Sequence, residues 1–300
     1  MTSASLTWRH ALLALAVVAV WGTNFVVIKV ALAHLPPLAF AALRFTFAFL
    51  PAAFFVKRPN VPWRNLIAYG LLIGAGQFGL LFIAMKAFIS PGLASLVVQT
   101  QVFFTIGMAM WLTKERIRGF QIAALALATI GLGVILMHTD ANTTPLGLGL
   151  ILLAAMSWAG GNIVQRATPG VSSLAYVVWA SLFSVPPLVV LSLLTEGWPA
   201  VSHGIESASL GTWAAVLWQS VGNTLFGYVA WGYLLARYPA ATVSPWSLLV
   251  PVFGMAASAI LLGEALPGWK LAAAALVIGG LAINVAGPKI WPAKVVAPVA

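Results

Sequence analysis

The sequence predicts an all-α membrane protein whose ten transmembrane helices form two inverted five-helix repeats around a central cavity. Three observations predict it. The 300 residues are 62% hydrophobic and 7% charged, with a mean hydropathy of +1.02, whereas soluble globular chains carry about a quarter charged residues. The charges fall in narrow gaps between apolar runs of the roughly 20 residues needed to cross a bilayer. Features of the first five runs recur, in order, in the last five.

The elements follow one another between clear turn signals. A first span at 10–33 starts behind Arg9 and continues past Trp21 to Ala33, which is too long for a cleaved leader, so it is expected to be retained. Pro36-Pro37 opens a second span at 37–56, Pro59 and Pro62 separate it from a third at 66–88, and Ser90-Pro91 opens a fourth at 91–112. The segment Glu115-Arg-Ile-Arg-Gly119 leads into a fifth at 120–138, and Thr143 to Pro145 into a sixth at 145–165. Pro169-Gly170 precedes a seventh at 172–194, and a longer loop with Pro199 leads to an eighth at 210–236. Pro239 and Pro267-Gly268 introduce the ninth, 240–262, and the tenth, 269–287. Proline and glycine break the apolar periodicity at each of these points.

The loops sort by charge. Counted on alternate sides, Arg9, Lys57, Arg58, Arg64, Lys114, Arg116, Arg118, Arg166, Arg237, Lys289 and Lys294 share the N-terminal side. The opposite side has Lys270 together with Asp140, Glu196, Glu206 and Glu264. Cytoplasmic loops accumulate Lys and Arg, so both termini are expected in the cytoplasm, in the inner membrane of the cell. One missed or invented span would scramble that asymmetry.

Glu115-Arg-Ile-Arg-Gly119-Phe-Gln and Glu264-Ala-Leu-Pro-Gly268-Trp-Lys align at an offset of 149 residues, and the same offset sets Ser95 on Ser244, Phe104 on Phe253 and Gly131 on Gly280. Upstream the offset is 137, placing Trp21 on Trp158 and Lys29 on Arg166. The domain reading is therefore an N-terminal repeat at 1–140 and a C-terminal one at 141–300. Five spans is an odd number, so the second repeat enters the membrane inverted. That architecture places a substrate site near the midplane, where the halves meet.

Composition also excludes functions. A formal charge of +10 suggests nucleic acid in a soluble protein, but these cations form no continuous stripe for a phosphate backbone. Without cysteine, and with His10, His34, His138 and His203 scattered at span ends, neither a thiolate nucleophile nor a metal centre is expected. No cofactor and no catalytic set is expected either. Gly74-Ala-Gly76-Gln-Phe-Gly79 matches a dinucleotide fingerprint, yet it lies in an apolar helix with no preceding strand, so helix packing is expected of it. Asn142-Thr-Thr144 matches a glycosylation acceptor and is given no role. The acids all fall at loops or span ends, which argues against the buried proton relay of a cationic-drug antiporter.

The chain resembles the EamA-type branch of the drug/metabolite transporter superfamily. The residues that carry the resemblance are Trp21-Gly-Thr-Asn24-Phe25, Leu43-Arg44-Phe45, the Glu115 and Glu264 segments, and the glycine-containing fifth and tenth spans. Around Leu96-Val-Val-Gln99-Thr-Gln101-Val-Phe-Phe-Thr105 it is similar to the YddG group of amino-acid exporters, departing from the broader pattern at Gln101, where proline is common. The resemblance implies a basket of ten helices and a cavity lined by spans one, three, four, six, eight and nine. It also implies export of aromatic and other neutral amino acids, threonine and methionine among them. Efflux of other metabolites or of cationic drugs by the same fold is the alternative, and a membrane enzyme or scaffold subunit a further one. The expected partners are a small-molecule substrate and membrane lipid, not nucleic acid.

Intramembrane polar groups need partners or a wet cavity, because lipid offers no hydrogen bonds. The candidate cavity residues are Asn24, Gln77, Phe78, Phe82, Gln99, Trp158, Asn162, Asn223, Trp231 and Trp246. In a regular helix Gln101 lies about 200° of rotation from Gln99, at about 100° per residue, so one of the two is expected to face the cavity, with Gln99 favoured. Lys29 and Lys86 read as span-end anchors. Arg44, roughly 10 Å along its helix from Pro37 at about 1.5 Å per residue, is the deepest cation and a candidate for carboxylate attraction or bundle packing.

Overall fold

The computed structural model describes residues 6–113, 118–139, 143–238 and 240–290. Lys114, Glu115, Arg116, Pro239, Asp140, Asn142 and Lys294 lie outside them. Among the described residues every regular segment longer than one residue is helical. We number the helices α1 (Trp8–Ala31), α2 (Pro37–Ala53), α3 (Trp63–Ala87), α4 (91–113), α5 (Gly119–Met137), α6 (Pro145–Arg166), α7 (Ser173–Thr195), α8 (Trp198–Ser207), α9 (210–237), α10 (240–262) and α11 (Gly268–Ile290). Eight of them are long and apolar enough to cross a membrane, so this is a multi-pass membrane protein. Of the other apolar helices, α2 has 17 residues, and α9 is made more polar by Gln219, Ser220, Asn223 and Thr224.

Two features were not expected from hydropathy. The loop before α9 contains α8, a short amphipathic helix that buries Val201 and Gly204 and leaves Trp198 exposed. Four helices also depart from α geometry: α3 and α9 each contain a nine-residue π segment, Leu71–Gly79 and Trp218–Phe226. α4 and α10 contain 3₁₀ segments, Val98–Thr100 and Ser244–Leu249. Backbone groups displaced by such irregularities must be met from neighbouring helices in an apolar bundle. Ser184 Oγ accordingly donates to the Gly70 carbonyl at 2.9 Å, and Ser157 Oγ to the Leu72 carbonyl at 2.8 Å.

Small residues set the tightest helix contacts. A Cβ on Gly22 of α1 would lie 2.5 Å from Phe253 Cβ and 2.6 Å from the Val250 carbonyl of α10, and one on Gly254 would overlap Ser95 of α4. In α5 and α11 the contact is reciprocal. A Cβ on Gly131 would meet the Ala273 carbonyl at 3.1 Å and Val277 at 2.8 Å, while one on Gly280 would meet the Ala124 carbonyl at 2.5 Å and Ala128 at 3.3 Å. An offset of 149 converts Ala124 to Ala273, Ala128 to Val277 and Gly131 to Gly280, so the contact maps onto itself. Gly74 and Gly76 of the false dinucleotide motif abut Ser184 and Ser157, the close packing expected of small residues.

Four charged groups, Lys29, Lys86, Glu196 and Glu264, meet the ends of helices. Lys29 donates to the Met85 and Lys86 carbonyls at 3.0 and 3.2 Å, and Lys86 donates to the Leu32 carbonyl. Each lysine thus caps the other's helix, where the dipole favours a cation. Glu196 accepts from the Leu38 and Ala39 amides at 2.7 and 3.1 Å, opening α2. Glu264 accepts from the Ser90 hydroxyl at 2.5 Å and the Gly92 amide at 3.0 Å, opening α4, and pairs with Lys270 at 2.9 Å. Removing a cap of this kind costs about 1–2 kcal/mol. Glu264→Ala is therefore expected to lower the unfolding temperature of the solubilised protein measurably, while Lys86→Ala, at an exposed side chain, leaves it nearly unchanged.

Candidate functional site

The π segment of α9 builds the site. In a regular helix Gln219 and Thr224, five apart, diverge by about 140°; the wider turn stacks them, and Thr224 Oγ1 donates to the Gln219 carbonyl at 2.9 Å. Ser220 Oγ reaches the Arg44 carbonyl at 2.9 Å as well as the Val216 carbonyl at 3.0 Å, fastening α9 to α2 at the depth of Arg44. Arg44 is 2% exposed. Its Nη2 donates to Thr224 Oγ1 at 3.2 Å, and its guanidinium carbon lies 3.5 Å from the Phe78 ring centroid and 5.0 Å from that of Phe45. Cation–π contact of this sort stabilises a buried cation without neutralising it.

Beside Arg44, Asn24 of α1 and Gln219 meet through Asn24 Nδ2 and Gln219 Oε1 at 3.5 Å, at the outer limit of a hydrogen bond. They are 4% and 0% exposed. Among the described residues, Asn24 Oδ1, Gln219 Nε2 and Arg44 Nε and Nη1 have no hydrogen-bond partner. A buried polar group left unmet costs about 1–3 kcal/mol, more when charged, and lipid returns none of it. An aromatic wall adjoins these groups. Trp21 Nε1 donates to the Asn223 carbonyl at 3.2 Å, and its ring centroid lies 5.2 Å from that of Trp231 and 6.2 Å from that of Tyr228.

Of the residues expected at a cavity, Phe78 thus contacts Arg44, Asn24 meets Gln219 of the same π segment as Thr224, and Asn223 and Trp231 both meet Trp21. Asn162 belongs to a second cluster between α4 and α6, where its Nδ2 donates to Gln101 Oε1 at 3.0 Å and Thr105 Oγ1 at 3.3 Å. The glutamine tied to Asn162 is therefore Gln101, while Gln99 is buried within the 3₁₀ turn that interrupts the regular spacing. Gln77 is buried in the π segment of α3. Phe82 is fully buried and stacks on Phe40 at 4.7 Å, a helix-packing position. Trp246 packs with Trp231 around Ala14, Leu234 and Val243, and Trp158 is partly buried against the main core. Trp179 of α7 donates its indole N–H to the Val56 carbonyl at 2.9 Å, joining α7 to the turn after α2.

The middle of the bundle is thus a packed polar layer. A cavity of ≈ 470 Å³ lies away from it, lined by Lys29, Lys86 and Leu262, and another of ≈ 220 Å³ lies between α2, α7 and α8. Gln219, Ser220 and Thr224 are additions to the residues expected from the sequence, as is the indole of Trp21. The signal for them was the bunching of Gln219, Ser220, Asn223 and Thr224 in six residues of an apolar span, which gathers four polar groups within about 140° of one helix face.

The comparisons with known proteins agree in direction. The sequence matches the EamA-like transporter family over residues 8–137 and again over 145–286. A protein of Salmonella typhimurium (strain LT2) described as a probable amino-acid metabolite efflux pump is 44% identical over 289 residues, covering 94% of this chain and 96% of the relative. Its counterpart in Escherichia coli K12, described in the same words, is 43% identical over 287 residues, covering 93% and 95%. A crystal structure of a protein 18% identical superposes with a TM-score of 0.64 over 95% of this chain and 99% of that one, a likeness of fold alone. The chain belongs to the EamA-like transporter family.

Proposed function

We propose that this transporter exports amino acids and closely related zwitterionic metabolites across the inner membrane by alternating access, with both termini in the cytoplasm. The observation that carries the reading is Arg44: a cation 2% exposed, with two nitrogens unpartnered among the described residues and no acid facing it there. Such a group calls for an anion, and an amino acid brings a carboxylate of complementary shape. The relatives named as amino-acid metabolite efflux pumps support the same substrate class. Asn24, Phe78, Gln219, Asn223 and Trp231 complete the central site around Arg44. Gln77, Gln99, Trp158, Asn162 and Trp246 line the route, with Phe82 packed behind it.

Ten crossings as two inverted repeats explain several observations together. The family match occurs twice, the α5–α11 contact maps onto itself, and the π segments of α3 and α9 fall at matching places in the two halves. At 17 residues α2 reaches about 26 Å at 1.5 Å per residue, close to the thickness of the hydrocarbon core. A cationic-drug antiporter is disfavoured because Glu196 and Glu264 are engaged as helix caps.

Purified protein in liposomes loaded with labelled methionine, threonine or phenylalanine is expected to release at least one of them above protein-free vesicles. Release of none by folded protein would overturn the proposal.

A further inference from the structure

The unpartnered atoms of the polar layer differ in kind. Arg44 Nε and Nη1 and Gln219 Nε2 are donors, and Asn24 Oδ1 is an acceptor. Arg44 alone would suit any carboxylic acid. The amide pair adds something that a carboxylate cannot use, an acceptor in a layer otherwise rich in donors. Turning both amides over exchanges which residue offers the donor and which the acceptor, yet still leaves one of each. The two amides are held next to Arg44 because Gln219 adjoins Ser220, whose hydroxyl bonds the Arg44 carbonyl at 2.9 Å, and because Thr224 bridges Arg44 Nη2 to the Gln219 carbonyl.

We infer that the Asn24–Gln219 pair is a reader of the α-ammonium group: one amide oxygen accepts from the ammonium while the remaining amide N–H joins Arg44 on the carboxylate. This rests on the function proposed above and goes beyond it, because it assigns the discrimination between an α-amino acid and an acid lacking the amine to two named residues. A site of this kind rejects the amine-free analogue because that analogue leaves the buried acceptor unmet. The side chain of the substrate lies toward Trp21 and Trp231, where the contacts are apolar and tolerant.

The stability of variants separates this role from a structural one. Two amides that serve only each other would stabilise the bundle, and their removal would weaken it. Amides with unmet atoms behave oppositely, since replacing both by apolar groups of similar shape is neutral or stabilising.

The test uses the full chain in liposomes and in detergent. Inhibition of labelled-methionine export by unlabelled methionine is compared with inhibition by 4-methylthiobutyrate, which lacks the amine, and by 3-methylthiopropylamine, which lacks the carboxylate. Wild type is expected to prefer methionine over each by at least about tenfold, the effect of one lost hydrogen bond to a charged group. In Asn24→Leu, Gln219→Met and the double variant, the preference over the amine-free acid is expected to fall toward one while the unfolding temperature holds or rises. The exchanged double variant Asn24→Gln/Gln219→Asn is expected to keep part of the preference. An unchanged preference in the apolar variants, or a lowered unfolding temperature with the preference intact, overturns the inference while leaving amino-acid export standing. If wild type moves and binds no amino acid, both fall; if the variants do not fold, equal wild-type inhibition by methionine and the amine-free acid still overturns the inference, and the tenfold wild-type difference supports it.

Discussion

Arg44→Met is expected to reduce amino-acid export by about 100-fold or more, since removing one member of a buried charge pair costs about 3–5 kcal/mol. The stability of the apo protein should not fall with it. Among the described residues the Arg44 guanidinium has one hydrogen bond, to Thr224 at 3.2 Å, and two nitrogens with no partner. Methionine keeps an unbranched chain against Phe78 and removes an uncompensated charge. Loss of transport with an unchanged or raised unfolding temperature identifies a binding group; parallel loss of both would identify a packing group. Arg44→Lys is expected to restore only part of the activity, because a lysine ammonium is a point charge without the planar fork that pairs a carboxylate at two oxygens.

The second large effect lies where α1 crosses α10 and α4. Gly22→Val would place its Cβ 2.5 Å from Phe253 Cβ and 2.6 Å from the Val250 carbonyl, and a fully packed helix contact has no space to yield. Overpacking costs about 1–3 kcal/mol and occasionally more. The variant should therefore melt well below wild type, with transport lost because α1 carries Trp21 and Asn24 on either side of the displaced residue. Gly149→Ala is the control: a Cβ there meets nothing within 4 Å, so it should be neutral or slightly stabilising through helix propensity.

The helices themselves were legible because bilayer crossing imposes length and apolarity, and because proline and glycine mark the breaks. Lys29 and Lys86 are helix-end groups, as their positions suggested, although reciprocal capping of each other's helices required the fold. What sequence spacing did not convey was any departure from 100° per residue. The π segment that stacks Thr224 on Gln219, and the 3₁₀ turn that buries Gln99 and leaves Gln101 to meet Asn162, change which residues share a face. Phe82 illustrates a different gap: a phenylalanine in an apolar helix carries no sign of whether it faces a substrate or, as here, another ring. Amphipathic α8 escaped because ten residues are too few for a hydropathy signal.

In the proposed function, the packed layer at Asn24, Arg44 and Gln219 is the place where substrate crosses. The chain has no cysteine, so a single cysteine placed at Asn223 reports on that layer without background. The decisive measurement is its reaction rate with a membrane-impermeant thiol reagent applied in turn to each face of sealed vesicles, with and without methionine, threonine or phenylalanine. Reaction from both faces is expected, slowed by a transported amino acid. Reaction from neither face, or from one face only and unaffected by any of them, would contradict the proposed function.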